Sequence, residues 1–543
     1  APLLDGPAPA AAPDATAPSQ NGSVSMDVAR DTGGVNLPPT KTSAHSQPAD
    51  IASRAAACAA RGKSSSAGVI LERVDVGSSV PPVATPRWAC IIDRELHVEG
   101  LSETRPIDLG PRAANGAVSS MNAKPMVPVD KLRVRAATAE PLLSVDVCLS
   151  FYHTYTDVIP SLFGLLHAGK LLPLETNSPR SPDTFPESLK LPMVPVFRSR
   201  CHVFHLASII FLLPFATDTP IAFDGADFSD DAFLRALEGR LFVTHSPPEV
   251  ALRKYDADFE SPHRRRIVLE HDDAVCACGA VAAAEAQPKS YVAPAVLQGF
   301  FSRAMSRVLP VPSPAFATLW SGCDARDHRV LVMLRSHSRF VGNPADVMAA
   351  LGAVPGLCAR AYYFDELSVL LQFYAVRSAH ALFSQHGAGL TYINVMGGPP
   401  AKPADFADVA VDCRRAVVEM WFVGKHSRSM SVYERAAGAG NMSYRLLLPT
   451  GAQFFDWGSG VTNGSATPRG NGTAAMSVTL PQGAVLETNP AANARRAKVM
   501  RKRGQPHGAQ DFLTQLGFFD KRQLAAAAQW IAQTLSTTCP VVV

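Results

Sequence analysis

From Trp88 onward, short apolar runs alternate with stretches patterned like helices, and that alternation constrains the fold more than any other feature. Residues 88 to 98 read as a first core strand, Ser144 to Leu149 as a strand, Tyr155 to Leu166 as a helix and Val203 to Leu213 as a buried segment. Further on, Tyr291 to Val308 reads as a helix and Arg329 to Leu334 as a strand. Asn343 to Leu351 and Asp365 to Ala379 then read as helices, and Ala381 to Ser384 and Val417 to Met420 as strands. Strands bounded by turn residues and joined through helices predict an α/β layer fold with a mainly parallel sheet.

Size decides how many such layers to expect. A chain of 543 residues exceeds what a single hydrophobic core supports, so two globular lobes follow. Residues 1–84 are rich in Ala, Pro, Ser, Thr and Gly with few aromatics, which predicts a disordered stem. Residues 85–300 form the first α/β unit and 301–456 the second, while 457–508, rich in Gly, Asn, Ser and Thr, read as an inserted loop. In 509–543, apolar residues at helical spacing from Asp511 to Leu535 predict a last helix that packs back on the core. The net charge of +4 is too small for this length to announce a nucleic-acid partner. The basic run Arg495, Arg496, Lys498, Arg501, Lys502 and Arg503 lacks interleaved aromatics and reads as a solvated segment.

The chemistry-bearing feature is Ala381-Leu-Phe-Ser-Gln-His386-Gly387-Ala388-Gly389-Leu390-Thr391. A buried strand ends there, and small residues let the backbone turn and approach a ligand. A helix then begins, whose unpaired N–H groups favour a phosphate. His386 can donate to phosphate or ribose oxygens, and Thr391 adds a hydroxyl on the first turn. The same turn would also serve a chain that merely changes direction.

Together with Ala416-Val-Val-Glu419, this segment resembles the signature of glycosyltransferase family 61, which includes EGF-domain O-GlcNAc transferase and plant xylosyltransferases. Upstream, Arg335, Arg339, Asn343 and Gln372 resemble that family's Arg, Arg, Asn and Gln elements in order, and His153 with Asp157 resembles its early His-x-x-x-Asp element. The chain departs from the family at Ser150, where Asn is usual, at His380, where Asp is usual, and in the long stretch Gly397 to Arg414. The resemblance implies a GT-B-like architecture, two Rossmann-type domains facing a central cleft. It also implies an inverting transfer from a nucleotide sugar, a UDP-sugar above all, to a glycan or glycoprotein acceptor.

His153 and Asp157 lie four residues apart and share one face of a helix start. Asp157 would take the acceptor hydroxyl proton, and His153 would orient it. The alternative is a helix cap beside a structural histidine. Arg335 and Arg339 follow a strand, where guanidinium forks suit a diphosphate, or a surface ion pair. Glu419 would accept from ribose hydroxyls, or serve as a buried structural partner. His386, Gly387, Ala388, Gly389, Leu390 and Thr391 complete the donor side. The competing class is a catalytically inactive relative that binds glycan or protein. An unrelated nucleotide-dependent enzyme is a third.

No metal or other cofactor is expected beyond the nucleotide sugar as co-substrate. Asp256-Ala-Asp258 has the letters of a metal-holding motif, but no apolar strand precedes it and it reads as a loop. The ten cysteines show no paired C-x-x-C spacing, and Cys276-Ala-Cys278 reads as strand or disulfide chemistry. Sequons at Asn21, Asn441, Asn463 and Asn471 suit a secretory-pathway protein. The longest apolar stretch, Leu206 to Ala216, is too short to span a bilayer. A lumenal enzyme of the Golgi or endoplasmic reticulum is therefore expected, of type II topology if an anchor precedes Ala1.

Overall fold

The computed structural model describes residues 53–58, 88–93, 95–108, 120–128, 131–138, 142–147, 159, 194–199, 206–210, 229–244, 267–284, 318–324, 326–335, 339–396, 414–421, 430–457, 484–486 and 515–538. Among these the strands form four sheets, and the molecule is mixed α/β.

The first sheet contains β1 (Trp88–Ile92), β2 (Glu95–Val98), β3 (Arg105–Asp108), β4 (Ser120–Pro125), β5 (Arg133–Thr138) and β10 (Asp273–Cys278), in the order β3-β4-β2-β1-β10-β5. Where one strand was expected over residues 88–98, the chain makes a hairpin in which Ala89 pairs with Val98. The polar pair Asp93-Arg94 interrupts the apolar run, and Asp93 takes a left-handed φ of 44°, which turns the chain back. This sheet mixes parallel and antiparallel pairs, unlike the parallel sheet expected of the first unit.

The second sheet meets that expectation. β6 (Leu142–Val147), β7 (Val194–Ser199), β8 (Phe242–Thr244), β9 (Val268–Leu269) and β11 (Ala280–Ala284) lie in the order β11-β6-β7-β8-β9, every pair parallel. The segment expected to be buried after Val203 contains helix α1 (Leu206–Ile210). Helix α2 (Asp230–Leu237) starts where the Ser229 side chain accepts from Ala232 N–H, and it buries Phe233, Leu234 and Leu237.

The third sheet positions the site. Its strands are β12 (His328–Leu334), β14 (Leu357–Tyr363), β15 (Ala381–Gln385), β16 (Ala416–Met420) and β17 (Ser443–Leu447), all parallel in the order β14-β12-β15-β16-β17. Strands buried on both faces explain the nearly unbroken apolar runs in the sequence. Val330, Val332, Phe383 and Val418 pack on one face against Val347 and Leu351 of α3 (Pro344–Gly352) and against Leu524, Ile531 and Leu535 of α7 (Lys521–Thr538). From β14 the chain crosses back through α4 (Val369–Ser378) to place β15 on the other side of β12. The strand order therefore reverses between β12 and β15. In open α/β sheets, ligands sit beyond the carboxyl ends of the strands at such a reversal. Helices α5 (Ile393–Met396) and α6 (Met430–Ala439) complete the chain around β15 to β17.

The fourth sheet joins distant segments: β13 (Phe340–Val341), β18 (Gly451–Trp457), β19 (Ala484–Leu486) and β20 (Gln515–Phe518), in the order β13-β20-β18-β19. It brings a strand out of the stretch read as an inserted loop. It also corrects the last helix, which begins at Lys521 rather than Asp511. Residues 515–518 pair with β18, and Asp520 accepts from the N–H groups of Arg522 and Gln523, fixing the helix start ten residues late. The helix still packs on the core as expected.

Among the described residues, the three disulfides Cys58–Cys278, Cys90–Cys276 and Cys323–Cys358 suit an oxidising, secreted or lumenal setting. Cys276 and Cys278 are thus both disulfide-bonded in a strand. Among the described residues no helix is long and apolar enough to cross a membrane.

Candidate functional site

Arg335 leaves the carboxyl end of β12, and His386 leaves the carboxyl end of the neighbouring β15, at the reversal of strand order. The side chains of Arg335 and Arg339 meet at Gly387, the residue after His386. A Cβ placed on Gly387 would lie 2.9 Å from Cζ and Nη1 of Arg339, and nearer still to Nη1 of Arg335. Both guanidinium groups therefore rest directly on this glycine's backbone. Gly387 has a φ of 153°, open to glycine and strained for other residues. Arg339 is itself held at φ 55°, a left-handed backbone rare for a long side chain and of the kind that gathers at functional sites. The Gln385 amide, with its oxygen toward Arg335, accepts from the Arg335 backbone N–H at 3.0 Å and donates to the Met333 carbonyl, locking the two strand ends together.

The helix expected directly after the turn starts more tightly. Leu390 N–H donates to Gly387 O at 2.9 Å, making a 3₁₀ turn over Ala388–Tyr392 before α5. Gly389 matters for packing, since a Cβ there would meet Met333 Cε at 2.8 Å. Leu390 and Thr391 are buried, and Thr391 Oγ1 has no hydrogen-bond partner among the described residues. The far end of the short helix is gripped by two buried arginines. Arg377 donates to Val395 O at 3.1 Å and Arg415 to Met396 O at 2.5 Å, satisfying carbonyls that a helix end leaves open. Burial lowers the Arg377 guanidinium to about 10. Burial and the Arg377 charge lower Arg415 to about 9. Gln372 in α4 accepts from Tyr392 OH and donates to Leu367 O at 2.8 Å, so it braces the 3₁₀ turn that precedes α5.

Glu419 is completely buried on β16. One carboxylate oxygen pairs with His386 Nδ1, and the other accepts from Tyr444 OH. Glu419 is thus a buried partner of His386 and Tyr444. Burial and the Glu419 carboxylate both raise the Tyr444 phenol far above its ordinary value, so it stays a donor. The His386 ring packs on Trp421, with centroids 4.0 Å apart, and edge-on to Tyr433, whose hydroxyl donates to Gly387 O at 2.7 Å. Trp421, Tyr433 and Tyr444 were not read as site residues. Tyr444 could have been found from the register: it lies opposite Val417, two residues from Glu419 on the same face.

Asn343 ties the site to the carboxyl-terminal segment. Its amide donates to Phe519 O at 2.9 Å and accepts from Phe519 N–H at 3.1 Å. His380 is buried with Nδ1 accepting from Arg329 N–H at 2.9 Å. Burial, aided by the positive charge of Arg415, lowers His380 to about 3, and burial also lowers His328, whose ring packs edge-on against it. A histidine kept neutral in the fold stabilises it fully above its unfolded value near 6.5, and that stability drains as pH falls toward 3. The slope reaches about 1.4 kcal/mol per pH unit. Unfolding free energy should therefore drop by roughly 2 kcal/mol between pH 6.5 and 5 from His380 alone. Denaturant titrations of wild type and His380→Asn check this. An equal drop in the variant would refute it.

His153, Asp157, Ser150, Asp256, Asp258, the basic run 495–503 and residues 397–413 of the long connection lie outside the described residues. Among the described residues no group of three or more His, Cys, Asp or Glu is placed to hold a metal. No protein-family model and no curated protein matches this chain.

Proposed function

We propose that the protein is an inverting glycosyltransferase of GT-B-like architecture that transfers a sugar from a nucleotide sugar, foremost a UDP-sugar, to a glycan or glycoprotein. One observation carries this reading: Arg335 and Arg339 converge on the bare backbone of Gly387, next in the chain to the Glu419-backed His386, at the reversal of a parallel sheet. Two guanidinium forks and an imidazole suit a diphosphate, whose charge grows as the sugar leaves. The acceptor side is assigned to His153 and Asp157, which follow β6 in sequence, with Asp157 as base. The parallel sheet that contains β6 is compatible with a second α/β unit in this part of the chain.

A panel of UDP-, GDP- and CMP-sugars, with nucleotide release and mass-spectrometric detection of product, tests the activity. Asp157→Asn should lower kcat by about a hundredfold or more while donor KM changes little, as expected of a lost general base. Unchanged transfer by that variant would remove Asp157 as base. Nucleotide binding without transfer or hydrolysis of any donor would make the protein a binding relative.

A further inference from the structure

Helix α6 ends in a turn that backbone atoms close. Asn441 N–H donates to Gly438 O at 3.1 Å and Met442 N–H to Ala437 O at 2.8 Å, the paired bonds that end a helix through a left-handed residue. Asn441 is that residue, with a φ of 54°, and Met442 is buried at the helix end. Glycine is the usual occupant of such a position, and asparagine comes next. Both bonds use main-chain atoms, so they leave the Asn441 amide uncommitted, and the residue is exposed between α6 and β17.

The same asparagine opens Asn441-Met442-Ser443, an acceptor triplet for N-linked glycosylation with no proline in its middle or directly after it. Among the described residues it is the one such triplet, since Asn21, Asn463 and Asn471 lie outside them. A glycan is bulky and hydrated, so it is compatible with folding only where its asparagine ends in solvent. Asn441 meets that condition. Its two neighbours do not: Met442 is buried, and Ser443 is half-buried as it enters β17. Recognition of the whole triplet therefore belongs to the chain before β17 packs. The disulfides among the described residues suit the oxidising compartments in which such attachment takes place.

We propose that Asn441 carries an N-linked glycan, added from a lipid-diphosphate oligosaccharide before the third sheet closes. In that step Asn441 Nδ2 bonds to the anomeric carbon, and the bond from that carbon to the diphosphate oxygen breaks with its electron pair staying on the oxygen. One Nδ2 proton passes to a base of the transferring enzyme, and the lipid diphosphate leaves. The parallel topology fixes where the glycan stands. Ser443 pairs with Ala416 at the amino end of β16, whereas Leu447 and Met420 are level with Gln385, where β15 ends before Gly387. At about 3.3 Å per residue, the start of β17 lies roughly 13 Å along the sheet from that level. The glycan therefore stands at the opposite end of the strands from Arg335 and Arg339, and its assignment is independent of the donor-site reading.

The full chain, directed into the secretory pathway of a eukaryotic host, treated with peptide N-glycosidase in heavy-oxygen water and mapped by mass spectrometry, tests this. The enzyme leaves an oxygen-labelled Asp wherever a glycan stood, so the Asn441 peptide should carry the label in most molecules. Asn441→Gly should lose one glycan from the intact mass and remain folded, because glycine suits the left-handed turn. Ser443→Ala should lose the same glycan although Asn441 is still present, and Ser443→Thr should keep it. If either variant fails to fold, the label on the wild-type Asn441 peptide gives the same decision. An unlabelled Asn441 in the wild type, or a glycan retained at Asn441 in Ser443→Ala, would overturn the proposal.

Discussion

Gly387→Ala should lower kcat/KM for the nucleotide-sugar donor of the proposed transfer by at least about a thousandfold in a protein that still folds. The added methyl would fall 2.9 Å from Cζ and Nη1 of Arg339 and closer to Nη1 of Arg335, so neither guanidinium could keep its place. Each desolvated charge-assisted contact to a phosphate contributes about 2 kcal/mol or more, and two displaced together account for the factor. Strain at φ 153° adds about 1–2 kcal/mol to the cost of the native turn, within what a protein of this size absorbs. Arg335→Ala with Arg339→Ala should reproduce the loss without the strain. Donor kinetics and melting temperature separate the two effects. Near-wild-type kcat/KM in Gly387→Ala would show that the two arginines do not hold the donor.

That expectation was open to the sequence only in part. Strands β12, β15 and β16 and helix α3 were legible to within a residue or two, because doubly buried parallel strands read as short apolar runs bounded by turn residues. Arg335, His386 and Glu419 lie in those strands or just past their ends, so their convergence follows once the strand order is known. The order itself is not local: nothing in the pattern says that β15 lies beside β12 rather than beyond β14. Tyr444 was missed for a related reason. β17 is Ser-Tyr-Arg-Leu-Leu at the sheet edge, with no continuous apolar run to mark it. The fourth sheet pairs Phe340 with Leu516, a separation that no window of adjacent residues can reveal. The hairpin at Asp93 was hidden because two short apolar runs split by two polar residues resemble one imperfect strand.

Removing disulfides should have the second large effect, on the amino-terminal sheet. Cys90 and Cys276 are direct register partners across β1 and β10, and Cys58 reaches Cys278 on the same face of β10. The sequence separations are 186 and 220 residues, so either bridge alone closes a very long loop in the unfolded chain. With one bridge in place, the other closes a ring of only roughly three dozen residues, which makes their contributions unequal to their separate values. Loop entropy then assigns about 4 kcal/mol to loss of either bridge alone and roughly 8–9 kcal/mol to loss of both. Because whole-chain stability is itself about 5–15 kcal/mol, the double variant should lose protection across β1 and β10 entirely, while each single variant keeps it. Hydrogen exchange resolved to residues 88–98 and 273–278 measures this directly. The third sheet, held by its own core, should keep its protection. Equal protection of β1 and β10 in the double variant and the wild type would mean that the hairpin and its partner strand stand on packing alone.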